Sequence, residues 1–278
     1  MRNIDFLAIG HVCHDWTPSG NILGGTTSYA SFFARKMNLQ TAILTSFGSD
    51  FEFQNRFQNI TLHSIPSKKT TVFKNVYDGS HRQQFLLKKS NNISTIHIPD
   101  DFQQPKMVLF GPIANEIDFE ILDIFDNSMI AICPQGWMRR WDSNGKVFHQ
   151  ILKDWSVFQK ADIIILSEED LNFQLYLIPK LASLFKILVI TKGEKGADVY
   201  FENKKHTFPI FPSNMVDPTG AGDIFATAFL IRYFETNDIP LSTNYANAAA
   251  SFCIEKKGTE GIVSHKDIIN RTYKIKEG

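Results

Sequence analysis

The residues best suited to chemistry form one short stretch, Asp-Pro-Thr-Gly-Ala-Gly-Asp at positions 217–223. Its proline and two glycines favour a turn, and the apolar residues that follow Asp223 predict a buried helix beginning at the Gly-Ala-Gly. The first amides of a helix have no intrahelical partner and lie at the positive end of its dipole, so they favour an anion. The amides concerned belong to Gly220, Ala221 and Gly222.

A carboxylate beside an anion-binding turn suits phosphoryl transfer to a hydroxyl group. Asp223 lies in the first turn of the predicted helix, where it can accept the hydroxyl proton while the amides stabilise the charge on the transferred group. The structural alternative is that Gly-Ala-Gly-Asp is only a helix N-cap, because Asp commonly caps helices.

Composition excludes several classes of function. The 278 residues carry no net charge and no basic run, which argues against nucleic acid as a partner. No apolar run is long enough to span a bilayer. The three cysteines are far apart and form no disulfide or zinc pattern, which favours a reducing compartment. The amino terminus does not resemble a signal peptide, so we expect a cytoplasmic protein.

Short apolar strands alternate with helical stretches along the chain. Continuous apolar strands of this kind predict an α/β fold whose parallel sheet is covered on both faces. Ligands of such sheets bind beyond the carboxyl ends of the strands. The predicted strands are residues 6–9, 41–50, 107–112, 129–134, 163–166 and 187–191.

Residues 70–87 differ from the rest, because two β-rich arms flank an Asp-Gly turn at Asp78. This pattern predicts a half-exposed hairpin. It would be either a lid over a site on the main sheet or a plain edge hairpin.

Four further groups of residues lie at predicted strand ends, and each has a plain alternative. Gly24-Gly25 is a second phosphate cradle or a simple turn, and the Thr191–Gly196 loop contacts phosphates or only closes a hairpin. The acidic run at 167–170 holds magnesium through water or begins a helix. Gln135 and Arg139 bind a polyol or an anion, or belong to a surface loop.

The 217–223 motif, taken together with Gly24-Gly25, resembles the two signatures of the ribokinase-like (PfkB) family of carbohydrate kinases. The resemblance extends from Asp15 to the loop at Gly258. It implies a three-layer αβα fold with a mostly parallel central sheet, in one domain over residues 1–278. A small β lid would be drawn from about residues 12–25 and 70–87.

The resemblance also implies a function and a site. The expected activity is ATP-dependent transfer of the γ-phosphoryl group to a hydroxyl of a small sugar or polyol, with Mg2+ and a monovalent cation such as K+. The acceptor would contact Asp15, Gly24, Gly25, Gln135 and Arg139. The nucleotide would contact Thr191, Gly193, Thr219, Asn247 and Gly258, and the metals would lie near Glu169, Asp170 and Asp217.

Three positions depart from the family pattern. Tyr29 stands where the family often has Asn, and Ser167 and Asp170 stand for Asn and Glu. These departures motivate an alternative, a nucleotide- or sugar-binding regulator that has lost turnover. A dinucleotide-dependent redox enzyme is disfavoured, because no G-x-G-x-x-G follows the first strand.

Two further expectations concern the acceptor and the assembly. The stretches 10–15 and 133–140 look similar to the plant myo-inositol kinase branch, which favours an inositol-like acceptor. The exposed edge of the lid hairpin predicts a homodimer formed through the lid.

Overall fold

The computed structural model describes residues 3–78 and 81–274. Its strands in this part of the chain are β1 (Phe6–Ile9), β2 (Cys13–Thr17), β3 (Gly20–Gly24), β4 (Thr41–Gly48), β5 (Thr61–Ser67), β6 (Thr71–Asp78), β7 (His81–Lys88), β8 (Met107–Phe110), β9 (Met129–Ile132), β10 (Arg139–Trp141), β11 (Val147–His149), β12 (Ile163–Ser167), β13 (Ile187–Thr191), β14 (Ala197–Phe201) and β15 (Lys204–Phe208). Its α-helices are α1 (Thr26–Lys36), α2 (Ile178–Leu184), α3 (Ala221–Thr236), α4 (Ile239–Cys253) and α5 (His265–Lys274).

The main sheet has the strand order β15-β14-β13-β12-β9-β8-β1-β4-β5. The strands from β13 to β5 pair in parallel, and β14 and β15 add antiparallel at one edge. All four residues of β1 are fully buried, as expected for a strand covered on both faces. The predicted α/β class and the strands at 6–9, 107–112, 129–134, 163–166 and 187–191 are confirmed.

Two apolar cores lie on opposite faces of this sheet. One packs the sheet against α1, α3, α4 and α5, and α3 is buried almost continuously from Ile224 to Ile231. That helix is apolar all round because it touches α1, α4 and the sheet. Within the described residues, no helix is both long enough and apolar enough to cross a membrane.

The second face is covered by α2 and by short 3-10 turns, including Phe119–Ile124 and Ser156–Phe158. The prediction of helical stretches between β8, β9 and β12 is therefore wrong in the type of helix. Stacked rings of Phe119, Trp137 and Phe158, with centroids 5.1 to 5.7 Å apart, fill this layer. Large aromatic side chains cover the sheet here with little regular backbone.

A second sheet, which we call the lid, has the order β3-β2-β6-β7. The predicted hairpin is confirmed as the antiparallel pair β6–β7, although Gly79 and Ser80 of its turn lie outside the described residues. The other half of the sheet is the antiparallel β2–β3 pair, which lies within residues 12–25, the second stretch from which the lid was expected to be drawn. Strand β7 contacts the body of the protein, because Leu86 N donates to Gly145 O at 2.8 Å.

Candidate active site

The turn at residues 217–223, which we call the cradle, leads into α3 as the sequence predicts. Gly220 is the N-cap residue with φ 80°, and a side chain there would overlap the ring of Tyr29, so the turn requires glycine. Among the described residues, nothing accepts a hydrogen bond from the amides of Gly222 and Asp223, whereas Ala221 N donates to Pro218 O at 3.3 Å.

The space above the cradle is open. A Cβ atom added to Gly222 would meet no atom within 4 Å. Gly222 is also exposed, so the helix start that carries the unpaired amides is open to solvent, as an anion site at a helix start requires.

Asp217 fixes the shape of the cradle. Its Oδ1 accepts from Thr219 N at 2.9 Å and its Oδ2 accepts from Gly258 N at 2.9 Å. Burial opposes ionisation of this carboxyl group, but the hydrogen bonds from Gly258 and Thr219 prevail and lower its pKa. Asp217 thus ties the cradle to the loop after α4 as a carboxylate.

Asp223 lies half-buried in the first turn of α3. Burial, with smaller contributions from the charges of Asp170 and Asp15, raises its pKa to about 6. A hydrogen bond from the Thr26 side chain and the charge of Arg139 act in the opposite direction. A carboxylate with a pKa near neutrality is well matched to general base catalysis.

All three cysteines lie near this carboxylate. Burial and neighbouring negative charges, Asp223 among them, raise the pKa of the Cys13, Cys133 and Cys253 thiols. The thiols are therefore neutral at physiological pH. The sequence analysis noted only their separation along the chain.

The predicted acceptor residues converge on the cleft from different elements. Asp15 lies on β2, and Gly24 lies beside it on β3, where a side chain would overlap the Asp15 carboxylate. Arg139 Nη1 donates to Ile113 O at 2.9 Å, and its guanidinium lies 5.6 Å from the ring centroid of Phe73. Asp15 and Arg139 both act on the pKa of Asp223, so they lie close to the base.

Gly25 is the N-cap of α1, which brings a second helix start to the same place. Thr26 is the first residue of α1, and its side chain hydrogen-bonds the carboxylate of Asp223. The sequence analysis did not identify Thr26, although its position directly after Gly24-Gly25 was a usable signal.

At the acidic strand end, residues 167–170, the Asp170 carboxylate is already hydrogen-bonded to neighbouring residues. Asp170 Oδ2 accepts from Ser167 N at 2.8 Å and from Ser167 Oγ at 2.7 Å. Its Oδ1 accepts from Gln135 Nε2 at 3.0 Å. Gln135 was predicted to bind the acceptor and Asp170 a metal, and the structure joins the two in one network.

The predicted nucleotide residues lie on or directly after β13, in the cradle, on α4 and in the loop after α4. Thr191 ends β13, and Gly193 follows in a turn with no atom within 4 Å of an added Cβ. Thr219 is exposed within the cradle, and Gly258 lies beside it. Asn247 is only 6% exposed and its Nδ2 donates to Pro209 O at 3.0 Å, so this amide fixes the segment that leads to the cradle.

Comparison with known proteins places this geometry in a family. The profile described as pfkB family carbohydrate kinase matches residues 156–266, which contain the cradle and Asp223. Inositol 3-kinase of Arabidopsis thaliana is 26% identical over 93% of this chain and 76% of its own length. The chain thus resembles the pfkB family of carbohydrate kinases, as the sequence motifs predicted. It is therefore a sugar or polyol kinase, a phosphotransferase with an alcohol group as acceptor.

Other relatives of this kinase are named for other acceptors. Cytidine kinase of Thermococcus kodakarensis is 25% identical over 83% of the chain and 88% of its own length. Among solved structures, a pyrophosphate-dependent kinase in the ribokinase family, complexed with a pyrophosphate analog and myo-inositol, superposes with a TM-score of 0.78. It is 19% identical over 95% of this chain and 99% of that chain. This likeness confirms the ribokinase-like fold.

The carboxylates of this kinase suit magnesium only through bound water. No group of three or more His, Cys, Asp or Glu side chains in the described residues is arranged to hold a metal ion. Asp170 already accepts three hydrogen bonds, whereas Glu169 is exposed at the same strand end. Hard oxygen ligands at this place fit an ion that keeps several waters and is bound mainly by the phosphates of the donor.

The kinase also has a buried polar junction between the main sheet and the lid that the sequence analysis missed. Glu116 is fully buried and accepts from the amides of His11, Ile113 and Ala114 at 2.6 to 3.0 Å. The His11 ring contacts Thr71 Oγ1 at 2.8 Å, and burial lowers the pKa of His11. A neutral histidine and a saturated carboxylate thus hold the chain where β1 passes into the lid.

Proposed function

We propose that this kinase transfers the γ-phosphoryl group of ATP to a hydroxyl of an inositol-like polyol. One observation carries the proposal: Asp223, with a pKa of about 6, lies in the first turn of a helix whose first amides have no partner in the described residues and whose Gly222 is exposed. The alignment with an inositol 3-kinase over most of both chains supports the acceptor class.

The residues divide the reaction between them. Asp223 accepts the proton of the acceptor hydroxyl as its oxygen bonds to the γ-phosphorus, and the bond from that phosphorus to the β,γ-bridging oxygen breaks, releasing ADP. The amides of Gly220, Gly222 and Asp223 stabilise the charge on the transferred group. Thr26 orients the Asp223 carboxylate. Magnesium, when bound to the phosphates, neutralises part of their charge, and Asp170 and Glu169 would hold its waters.

Apolar surface beside the cradle supports a nucleotide donor. Met215 and Val216 are 60% and 58% exposed and directly precede Asp217. Val216 N is fixed to Ile254 O at 2.7 Å, so this surface has a defined position. A nucleobase could cover it, whereas pyrophosphate has nothing apolar to place there.

The test is a matrix of donors and acceptors. ATP and pyrophosphate are each combined with myo-inositol, other inositols, ribose, fructose and nucleosides, and phosphorylated products are measured by mass spectrometry. We expect ATP-dependent phosphorylation of an inositol that Asp223→Asn abolishes. Turnover with pyrophosphate alone overturns the donor assignment, and a preference for a furanose or nucleoside overturns the acceptor class.

A buried hydroxyl supports the monovalent cation in this proposal. Tyr29 is 1% exposed, and its hydroxyl has no hydrogen-bond partner in the described residues. Burial and the charges of Asp223 and Asp217 raise its pKa, so the oxygen lies in a negative field where a cation is favoured. We expect K+ to increase kcat in wild type and to do so less in Tyr29→Phe, and equal activity in choline chloride contradicts this assignment.

The lid also supports a homodimer. Strand β7 contacts the β10–β11 hairpin, so the open edge of the lid sheet is β3. Trp16 and Ile22 are 39% and 52% exposed beside this edge. Light scattering should show a dimer that Ile22→Lys converts to monomer, and a wild-type monomer at high concentration contradicts it.

A further inference from the structure

The chain passes between the main sheet and the lid four times, because the lid strands come from two separate stretches of sequence. The first pass is residues 10–12, the second is Gly25, the third is residues 68–70, and the fourth begins at residue 89. Contacts among these passes decide how the lid is held against the body of the protein. His11 lies on the first pass and is fully buried.

His11 contacts residues at each of the other three passes. Its carbonyl oxygen accepts from Thr27 Oγ1 at 3.1 Å, just after the second pass, and lies so close to Gly25 that a side chain there would overlap it. The ring nitrogen Nδ1 lies 2.8 Å from Oγ1 of Thr71, directly after the third pass. The other ring nitrogen, Nε2, lies 2.9 Å from the carbonyl oxygen of Asn91 on the fourth pass. One buried residue thus joins all four passes.

These partners fix which ring nitrogen carries the proton. The carbonyl oxygen of Asn91 can only accept, so Nε2 is the donor. In a neutral ring Nδ1 then accepts, and the Thr71 hydroxyl donates to it. The Thr71 oxygen in turn accepts from Ser90 N at 3.0 Å, which leaves the hydroxyl proton available for His11. Every donor in this chain of hydrogen bonds meets an acceptor when the ring is the neutral Nε2–H tautomer.

The charges that face the ring leave it neutral. Burial is the largest influence and lowers the pKa of His11, and the charge of Lys89 on the fourth pass acts in the same direction. The charge of Glu116, whose carboxylate accepts from His11 N at 2.9 Å, and the hydrogen bond to Asn91 oppose this lowering without cancelling it. The hydrogen-bond directions at the junction are therefore kept at neutral pH.

The junction can act on the acceptor site through a lever. Asp15 follows His11 by four residues, on the order of 13 Å along an extended chain, so a lid rotation of about 5° would move its carboxylate by about 1 Å. Asp223 lies on α3 and stays with the body of the protein. A misplacement of about 1 Å can cost about 100-fold in rate. The orientation of the lid therefore decides whether an acceptor held by Asp15 meets the base.

We propose that His11 is a positioning residue that sets the orientation of the lid, and with it the place of Asp15 relative to Asp223, by joining the four passes as a neutral Nε2–H tautomer. The inference rests on the proposed contact between Asp15 and the acceptor. His11 is fully buried, so it acts on the reaction through the strand β2 that follows it and carries Asp15.

The alternative is that His11 only stabilises the fold, as buried polar groups with satisfied partners do. Two half-mimics and one isosteric variant separate the roles. His11→Asn keeps a polar group near the Nδ1 position for Thr71, whereas His11→Gln reaches the Nε2 position for Asn91. Thr71→Val keeps the shape of its side chain and removes the hydroxyl that donates to Nδ1. Ile9→Ala is the matched control, because it removes a fully buried side chain from the core on the second face, two residues before His11.

The kinetic experiment measures Tm, acceptor kcat/KM and donor KM for the four variants, with myo-inositol and ATP as probes. We expect each His11 variant to lose about 100-fold in acceptor kcat/KM and Thr71→Val to lose less. Donor KM, and the slow hydrolysis of ATP without acceptor, should stay close to wild type. Ile9→Ala should lower Tm at least as much as the His11 variants and leave acceptor kcat/KM near wild type.

The tautomer is tested without any assay of activity. NMR of protein labelled with 15N-histidine distinguishes the two neutral tautomers from the charged ring, and the His11 signal is the one missing from His11→Gln. We expect the neutral Nε2–H ring at pH 7. A charged ring, or a proton on Nδ1, overturns the inference.

The outcomes separate this inference from the proposed function. Wild-type acceptor kcat/KM in folded His11→Gln and Thr71→Val overturns the inference and leaves the kinase assignment intact. A loss of the same size in Ile9→Ala, or a donor KM that rises with the acceptor KM, shows a purely structural role and also overturns it. If wild type binds inositols by calorimetry without phosphorylating them, the proposed function fails, and an acceptor Kd raised in the His11 variants still supports the inference. A wild-type protein that neither binds nor phosphorylates any acceptor contradicts both.

Discussion

Asp223 and Asp170 are two carboxylates of one cleft with opposite surroundings. Asp170 is almost fully buried and accepts three hydrogen bonds from Ser167 and Gln135. Asp223 receives a side-chain hydrogen bond from Thr26, and burial raises its pKa to about 6. The difference suggests two roles. A carboxylate whose oxygens already accept several hydrogen bonds fixes the groups that donate them, whereas a carboxylate with few hydrogen bonds is available to accept a proton.

Substitution of Asp223 is the strongest test of this difference between the two carboxylates. We expect Asp223→Asn to reduce kcat about 1,000-fold, because the amide cannot accept the hydroxyl proton. Steady-state assays with saturating donor and acceptor measure the loss. Wild-type turnover in a folded Asp223→Asn protein would remove Asp223 from the reaction.

The same substitution should stabilise the fold. The raised pKa means that the folded state favours protonated Asp223, so this contribution to stability is complete below about pH 3.8 and is lost as the pH rises through 6. Asparagine stays neutral, so at pH 8 the variant should gain on the order of 2 kcal/mol in unfolding free energy. Urea unfolding at pH 8 and pH 4 checks this, and a gain of equal size at both pH values contradicts it.

Gly220→Ala tests the cradle that Asp223 shares. The new methyl group would overlap Tyr29 and the residue has φ 80°, so we expect a loss of about 3 kcal/mol in stability and a large rise in donor KM. Gly193→Ala is the control, with φ 54° and no atom within 4 Å of the added methyl. It should lose only about 1 kcal/mol. If the two variants lose the same stability, backbone strain alone explains the loss and the overlap with the Tyr29 ring contributes nothing.

Asp170→Asn sharpens the other side of the comparison. The new NH2 group would face the donors Ser167 and Gln135, so we expect about 1–3 kcal/mol lower stability and a kcat reduced about tenfold through misplacement of the strand end. Thermal unfolding measures the first effect. If the Asp170→Asn variant is as stable as wild type, or as inactive as Asp223→Asn, the assignment of a structural role to Asp170 and a chemical role to Asp223 is wrong.

The smallest expected effect is a shift in the pH dependence of kcat/KM. Activity requires ionised Asp223, so kcat/KM should rise with pH, reaching half its plateau near pH 6. The Arg139 charge lowers the pKa of Asp223, so Arg139→Gln should move this midpoint to higher pH. An unmoved midpoint would show that Arg139 does not act on the base.

The cradle could be predicted from sequence because it is local. Its turn, its glycines and its base lie within seven consecutive residues, 217–223, and the strands follow from their continuous apolar runs. Thr26 and Glu116 escaped prediction, because their partners lie far away along the chain: Thr26 bonds Asp223, and Glu116 bonds His11.

Predictions from residue type alone were less successful where tertiary contacts decide. Asn247 appeared suited to a nucleobase, yet its amide nitrogen is bound to Pro209 O. The layer around Phe119 and Phe158 was predicted as helices, yet it consists of 3-10 turns because aromatic packing determines its backbone. Neither contact has a local pattern that single-sequence reasoning could detect.

Asp15 and Asp223 are carried by separate elements, the lid sheet and the helix that begins at the cradle. A molecule must be large enough to touch both before it is held against the base. Water is too small to do so, so this division disfavours wasteful hydrolysis of the phosphate donor when no acceptor is present.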